Sequence, residues 1–268
     1  MPRTRYVKTP EQVARLQRAM AEPAFLRSRT LAINFETDPE VVAELLPAPL
    51  EPAARPLATV MVFETGASNC VGPFDGASLN LACRFEGEDG LFCLTMPMTT
   101  DTAVIFGREL YAEPKKFAEV VLDATRPARV RGTVSRHGIT YIDLRGTFEE
   151  EPQTVELEHI SRHYYVKFMP SADGLGFAHE PQLVQVTHTG RTEKLAHGAG
   201  SITFRDSPHD PVIDIPVVSV LGATFSEGET RTRARVVATI PGEQFLPHAF
   251  AKMDDLSLWL EADALAPA

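Results

Sequence analysis

The sequence has few cysteines and a deficit of positive charge. Its three cysteines, Cys70, Cys83 and Cys93, have spacings that match neither a paired metal site nor a disulfide framework. We therefore expect buried, reduced thiols and a cytoplasmic protein. The 26 lysines and arginines are outnumbered by 36 aspartates and glutamates, which leaves a net charge of -10. This acidity argues against a nucleic-acid partner, because binding a phosphate backbone requires a basic face.

Long hydrophobic runs and cofactor motifs are also missing. The N-terminal segment MPRTRYVKTPEQVARLQRAM lacks the unbroken apolar stretch of a signal peptide. The most apolar later run, PVVSVLGATF, is about half as long as a membrane span. We therefore expect that the protein does not associate with a membrane. The sequence contains no GxSxG or P-loop motif and no GxGxxG before a helix, so it does not support a serine hydrolase or a nucleotide-dependent enzyme, and no cofactor is expected.

One histidine pair has the spacing of a metal site on a helix. His159 and His163 are four residues apart in HISRHYYVKFM. This segment has the pattern of a strand, in which four residues span roughly 13 Å, too far for one ion. The cluster Asp206, His209, Asp210 and Asp214 is predicted to be a solvated loop, because prolines and turn-forming aspartates surround it. No metal site is expected.

Helix signals occur in four places. Thr9 followed by Pro10 is a typical helix start, and Asp38 followed by Pro39 is another. The apolar residues after these starts recur at helical spacing. The predicted helices run from Thr9 to Pro23, from Asp38 to Pro47, over Asp101–Leu110 with Asp101 as the cap, and near Met253–Leu260.

Strand patterns dominate from Pro56 onwards. Short β-favouring runs such as PLATVMVFET, ASLNLACRF and ITYIDLRGTFEE are separated by glycine or proline. The link from Arg136 to Gly138 suits a hairpin. No repeat or flexible linker divides the chain. We predict a single β-rich α+β domain over residues 1–268, with antiparallel sheets forming a barrel-like core and a few short helices.

The segment GRELYAEPKKFAE, residues 107–119, carries the strongest chemical signal. Pro114 holds Glu113 out of the helical region, so the chain leaves the preceding helix before it reaches Lys115. A lysine is a nucleophile only when neutral, and less than about one free lysine in a thousand is neutral at pH 7. Desolvation or a second cation favours the neutral form, and Lys116 is a candidate for that cation.

Three stretches together resemble the acetoacetate decarboxylase family. They are GRELYAEPKK, RSRTLAINFETDPEVVAELLPAPLEP and VGPFDGASLNLACRFEGEDG, which cover the chain from about Arg27 to Glu119. The resemblance implies that Lys115 forms an imine with substrate, that Lys116 is its activating neighbour, and that Arg29 is an active-site arginine. The fork of Arg29 could pair with a substrate carboxylate, although a surface salt bridge is the alternative.

The sequence departs from the family at two pocket glutamates, whose positions fall on Met61 and Gly76. Neither replacement can ionise. Glu64 and Asp75 are close enough in sequence to substitute for them. Without the carboxylates the pocket is expected to be more apolar, roomier at Gly76, and less repulsive to a substrate carboxylate.

Two further residues have roles that the pattern leaves open. Glu113 would favour the charged form of Lys115 if it faced the amine, so we expect it to point away or to pair with Lys116. His248 is a candidate late-chain pocket residue, although a lone histidine is more often structural.

These features lead to three functional hypotheses. The first is a lyase that decarboxylates a β-oxo acid larger than acetoacetate through an imine on Lys115. The second is an aldolase or dehydratase that uses the same lysine with a pyruvate-like donor. The third is a binding protein that holds an apolar acid or ketone without reaction. The expected partner is a small oxo acid or carbonyl compound, and the resemblance implies a homo-oligomer.

Overall fold

A computed structural model of the protein describes residues 4–253. Three of its helices begin after a side chain that accepts a hydrogen bond from the backbone of the first turn, namely Thr9, Asp38 and Thr100. The α-helices in the described range are α1 (Pro10–Ala21), α2 (Pro39–Leu45), α3 (Asp101–Tyr111) and α4 (Gly242–Ala249).

The helix predictions are confirmed for α1, α2 and α3, with one change of cap. Thr100 caps α3, because its Oγ1 accepts the hydrogen bond from the backbone N–H of Ala103, and Asp101 is already helical. The sequence pattern does not predict helix α4. This helix contains Pro247, and proline usually breaks a helix. The helix predicted near Met253–Leu260 lies outside the described residues, apart from Met253 itself.

Most of the chain is β-strand. In chain order the strands are β1 (Ala24–Glu36), β2 (Glu51–Pro52), β3 (Leu57–Ser68), β4 (Phe74–Phe85), β5 (Glu88–Met98), β6 (Lys115–Phe117), β7 (Glu119–Arg126), β8 (Arg129–Arg136), β9 (Ile139–Thr147), β10 (Gln153–Lys167), β11 (Gln182–Phe204) and β12 (Ser219–Thr239). The predicted hairpin joins β8 to β9, with His137 and Gly138 at φ 50° and 79°. The HISRHYYVKFM segment is strand β10 up to Lys167, as predicted.

Seven strands form a ring in the order β10, β5, β4, β3, β1, β12 and β11, and β11 pairs back onto β10 to close it. Neighbouring strands are antiparallel, except that β10 runs parallel to β5. The short strand β6 adds to β5 in parallel. The predicted β-rich α+β class with a barrel-like core is therefore confirmed.

A second sheet packs on the outside of the ring. The end of β11 continues beyond the ring and pairs with β9, which is followed by β8 and β7. Alternation along β1 directs Leu31, Ile33 and Phe35 into the core between the two sheets. Gly132 of β8 lets the sheets approach closely, because a Cβ there would lie 2.6 Å from Cβ of Val62. The opposite face of β1 therefore points into the ring.

None of the helices within residues 4–253 is long and apolar enough to cross a membrane. The three cysteines in that range carry free thiols, and Cys83 and Cys93 are buried.

Candidate active site

The end of helix α3 places Lys115 at the wall of the ring. Ala112 takes a left-handed conformation, with φ 64°, and ends the helix. Pro114 follows, and Lys115 then pairs with Met96 as the first residue of β6. Arg108 fixes this junction, because its Nη1 donates a 2.9 Å hydrogen bond to the carbonyl of Lys115. The junction between α3 and β6 therefore sets the direction of the Lys115 side chain.

The interior of the ring holds a cavity of ≈ 370 Å³. Volumes of roughly 300–1,000 Å³ are usual for small-molecule sites. Its apolar wall includes aromatic and methionine side chains: Phe25, Met61, Phe63, Phe74, Met96 and Met98. Its polar wall includes Glu113, Lys115 and several residues of β10 and β11. The cavity can therefore hold a small molecule that has both apolar and hydrogen-bonding parts.

Lys115 and Glu113 form a buried ion pair beside this cavity. Lys115 Nζ lies 2.8 Å from Glu113 Oε2, and both side chains are less than one-tenth exposed. The same Nζ lies 5.9 Å from the ring centroid of Phe74. Gly107 of α3 leaves room for the pair, because a Cβ there would lie 2.6 Å from Lys115 Nζ. The expectation that Glu113 points away from Lys115 or pairs with Lys116 is wrong.

Lys116 lies on the opposite face of β6, because consecutive residues of a strand point to opposite sides. Its Nζ donates a 3.0 Å hydrogen bond to Asp210 Oδ1 and a 3.1 Å bond to the carbonyl of His209. Arg136 Nη1 lies 2.7 Å from the other carboxylate oxygen of Asp210. The structure thus does not bring Lys116 into the cavity with Lys115.

Asp210 corrects the prediction of a solvated loop. Its side chain is 1% exposed and receives both Lys116 and Arg136. A buried carboxylate is costly unless cations and hydrogen-bond donors surround it, and here they do. The loop that follows β11 is therefore anchored to β6 at the residue after Lys115.

Arg29 lies on the outer face of the ring, away from Lys115. Its Nε lies 2.6 Å from Glu64 Oε1, and this bond raises the pKa of the guanidinium. Asp75 neighbours Glu64 in the register of β3 and β4. Burial, and then the charge of Glu64, raise the pKa of Asp75. Both chain neighbours of Arg29, Ser28 and Thr30, line the cavity.

The positions of the two missing glutamates differ in what they do to the cavity. Met61 lines it. Gly76 does not enlarge it, because a Cβ at Gly76 would lie 2.6 Å from Met98 Sδ and 2.8 Å from Phe63 Cζ. The expectation of extra room at Gly76 is wrong, since these two side chains already occupy that space.

His248 lies at a second, smaller cavity of ≈ 160 Å³, which is lined also by Pro114, Phe245 and Lys252. Tyr165 lines both cavities. Burial lowers the pKa of His248 and lowers the pKa of Lys252 to about 8. The structure therefore places His248 at a different cavity from the one that Lys115 lines.

Sequence reasoning missed the polar wall built by β10 and β11. His163 and His188 line the main cavity with ring centroids 4.8 Å apart. Burial lowers the pKa of His163 to about 3 and that of His188 to about 4, so both rings are neutral at pH 7. His163 Nδ1 and the Tyr165 hydroxyl are buried without a hydrogen-bond partner among residues 4–253.

The signal that could have revealed this wall was the alternation of β10. Residues 159, 161, 163 and 165 are His, Ser, His and Tyr, and a strand points alternate residues to one side. The described residues contain no group of three metal-binding side chains, although His159 and His163 both line the cavity.

Together, the closed ring and its buried amine define a barrel protein with an internal cavity. A model of the acetoacetate decarboxylase family matches residues 6–239. The chain belongs to the acetoacetate decarboxylase family, and it is an enzyme of the lyase kind. The resemblance found in the lysine segment and its two companion stretches is thereby confirmed.

Individual relatives agree with this assignment. The chain is 26% identical over 215 residues to an acetoacetate decarboxylase of Streptomyces nogalater, an alignment that covers 77% of this chain and 85% of that protein. Among solved structures it is similar in fold to the acetoacetate decarboxylase of Legionella pneumophila, with TM-score 0.73, 18% identity, and coverage of 81% and 87%. The enduracididine biosynthesis enzyme MppR is also similar, with TM-score 0.67, 18% identity, and coverage of 80% and 88%.

Proposed function

We propose that the protein is a lyase that forms an imine between Lys115 and the carbonyl carbon of an oxo acid. The observation that carries this proposal is the position of the Lys115 amine, which is buried yet lies at the wall of the main cavity. An amine held there can meet a carbonyl compound while bulk water is excluded. The family assignment supports the same class of reaction.

The preferred reaction is decarboxylation of a β-oxo acid. The amine adds to the ketone carbonyl, and loss of water gives a cationic iminium. The bond to the carboxylate carbon then breaks, carbon dioxide leaves, and the electron pair passes to the iminium nitrogen to form an enamine. Protonation of the enamine and hydrolysis release a ketone and restore Lys115. An apolar cavity suits this step, because the carboxylate loses its charge as carbon dioxide departs.

The substrate is expected to be larger than acetoacetate. The lining by Met61, Met96 and Phe63 offers apolar surface that a short acid would leave unfilled. Each additional methylene that the substrate buries contributes about 0.8 kcal/mol to binding. Efficiency should therefore rise with chain length until the cavity is full.

The second candidate is aldol condensation or dehydration with the same lysine. The observation that favours it is the fold similarity to MppR, which is described as complexed with the condensation product of pyruvate and imidazole 4-carboxaldehyde. In that case the enamine on Lys115 would attack an aldehyde and form a carbon–carbon bond.

Trapping with borohydride tests both candidates. Reduction of the imine with sodium borohydride in the presence of an oxo acid should add the substrate mass to Lys115, as read by mass spectrometry of the digested protein. The matched control is Lys115→Arg, which keeps the charge and removes the primary amine. NMR of the reaction mixture then separates the candidates, because carbon dioxide release marks the first and a new carbon–carbon bond marks the second. Folded protein without any adduct would favour a binding protein.

We also propose that the enzyme works as a cytoplasmic homo-oligomer. The free thiols of Cys83 and Cys93 support a reducing compartment. Exposed apolar side chains such as Ile105, Phe117 and Val121 support association with further copies. Sedimentation velocity should then show a mass that is a multiple of 29.4 kDa. A monomer at micromolar concentration would contradict the oligomer.

A further inference from the structure

Glu113 is the residue whose position the proposed reaction leaves unexplained. Its side chain is 8% exposed and lines the main cavity, and its Oε2 lies 2.8 Å from Lys115 Nζ. Burying a carboxylate is costly, and a purely structural pair could be replaced by apolar residues of similar volume. Gly107 of α3 makes the contact possible, because its lack of a side chain leaves the space that Glu113 and Lys115 occupy.

The other carboxylates near the site are placed differently. Glu64 and Asp75 lie on the outer face of the ring with Arg29. Glu227 and Glu229 line the cavity from β12, and Glu227 pairs with Lys194 at 3.0 Å. Glu113 is thus the carboxylate that the structure places in contact with the Lys115 amine.

We propose that Glu113 is a catalytic acid–base group that carries protons to and from Lys115 and its imine. This inference depends on the imine chemistry proposed above. Glu113 first accepts a proton from the Lys115 ammonium, which leaves a neutral amine and a carboxylic acid. The amine adds to the substrate carbonyl, and its nitrogen proton passes to the alkoxide. The carboxylic acid then protonates the carbinolamine hydroxyl, which leaves as water.

Protons and charge balance through these steps. The pair starts as an ammonium and a carboxylate, and it ends as an iminium and a carboxylate, so no charge is left uncompensated in the cavity. The same carboxylate lies next to the iminium. It can therefore accept a proton from the carbon next to the imine carbon, which gives a neutral enamine and a carboxylic acid. It can return that proton in the reverse step.

This second proton transfer gives the proposal a signature that a structural role would not produce. A ketone that forms an imine on Lys115 should exchange the protons next to its carbonyl for deuterium in D₂O, even when it is not decarboxylated. The exchange needs both the amine of Lys115 and a base beside it.

The experiment measures proton NMR exchange of pyruvate and of acetone in D₂O, and in parallel the rate of borohydride trapping of each compound. Glu113→Gln, which keeps the shape and removes the charge, should slow the exchange by about 10²–10⁴-fold, the usual contribution of an acid–base group. The matched control Glu119→Gln removes an exposed carboxylate from β7 and should leave the exchange unchanged. Circular dichroism checks the fold of each variant.

A second variant separates catalysis from folding. Glu113→Ala should be as slow as Glu113→Gln, and added formate should restore part of the exchange by supplying a carboxylate in the vacated space. Trapping on wild-type Lys115 with equal exchange rates in wild type and Glu113→Gln would overturn the role of Glu113 alone. A wild-type protein that traps neither compound nor any other oxo acid would overturn both the imine chemistry and this inference.

Discussion

Lys115 and Lys116 are adjacent in the chain, yet their ammonium groups lie on opposite faces of β6, the first against Glu113 and the second against Asp210. The carboxylate of Asp210 also pairs with Arg136. Lys116 therefore takes part in anchoring the loop after β11, while Lys115 lines the cavity.

The first prediction concerns Lys116→Ala. We expect the pH dependence of imine trapping on Lys115 to remain unchanged, because the removed charge faces Asp210. Stability should fall by roughly 1–3 kcal/mol, since Asp210 keeps Arg136 but loses one hydrogen-bonded cation. Urea unfolding and trapping at several pH values provide the two measurements. Lys8→Ala, an exposed lysine, is the control. A shifted pH profile would show that the second ammonium acts on Lys115 after all.

The second prediction compares two neighbours on β1. Arg29→Gln should leave trapping on Lys115 within about twofold of wild type, because Arg29 lies on the outer face of the ring and its partially exposed pair with Glu64 affects only stability, by no more than about 1 kcal/mol. Ser28→Phe should suppress trapping, because Ser28 faces the cavity and a phenyl ring would fill it. Equal loss in both variants would mean that the outer face also contributes to the reaction.

The third prediction concerns Gly76, where the lack of a side chain is already compensated by packing. Gly76→Ala should destabilise the fold by roughly 1–3 kcal/mol, because its Cβ would overlap Met98 and Phe63. Adding Met98→Ala should recover much of the loss and enlarge the cavity, which shifts selectivity towards longer oxo acids. Thermal unfolding and a homologous substrate series measure these effects. A single variant as stable as wild type would show that Met98 moves aside freely.

The fourth prediction uses the low pKa of His163. Burial lowers this pKa from 6.5 to about 3, so between these values the unfolded chain binds a proton that the folded chain does not. The stability contributed by the neutral ring is therefore complete above pH 6.5 and is lost as the pH falls towards 3. His163→Phe should reduce this loss by up to about 1.4 kcal/mol per pH unit.

Urea unfolding at pH 7.5 and pH 5 checks that prediction. His179→Phe, which changes an exposed histidine, should leave the pH dependence unaltered. If His163→Phe and wild type lose the same stability between these pH values, the His163 ring is not the group that resists protonation.

Sequence pattern predicted what depends on local periodicity and local motifs. The alternation of apolar and polar residues predicted strands β3, β4 and β10. The proline after Glu113 predicted the break between α3 and Lys115. Alternation could not say which face of β1 points into the ring, because Leu31 and Ala32 are both apolar. The active-site role of Arg29 rested on the family resemblance, and the structure instead places its neighbours Ser28 and Thr30 at the cavity.

Contacts between distant segments were beyond the pattern. Lys116 and Asp210 are 94 residues apart, and the prolines around Asp210 are equally typical of an exposed turn. The contact between Glu113 and Lys115 was also not predicted. A carboxylate beside Lys115 favours its charged ammonium form, so electrostatics alone predicted that Glu113 points away or pairs with Lys116. The structure brings the two side chains together because Ala112 takes a left-handed backbone conformation at the end of α3. An alanine does not predict that conformation.

The length of β11 has a mechanical consequence. This strand runs for 23 residues and belongs first to the ring, between β10 and β12, and then to the outer sheet, beside β9. Its backbone amides therefore link two layers with one continuous set of hydrogen bonds. Opening either layer requires breaking backbone hydrogen bonds of β11, the strand that both layers share. Amide protons on β9 and on β12 should therefore exchange in a single cooperative event rather than layer by layer.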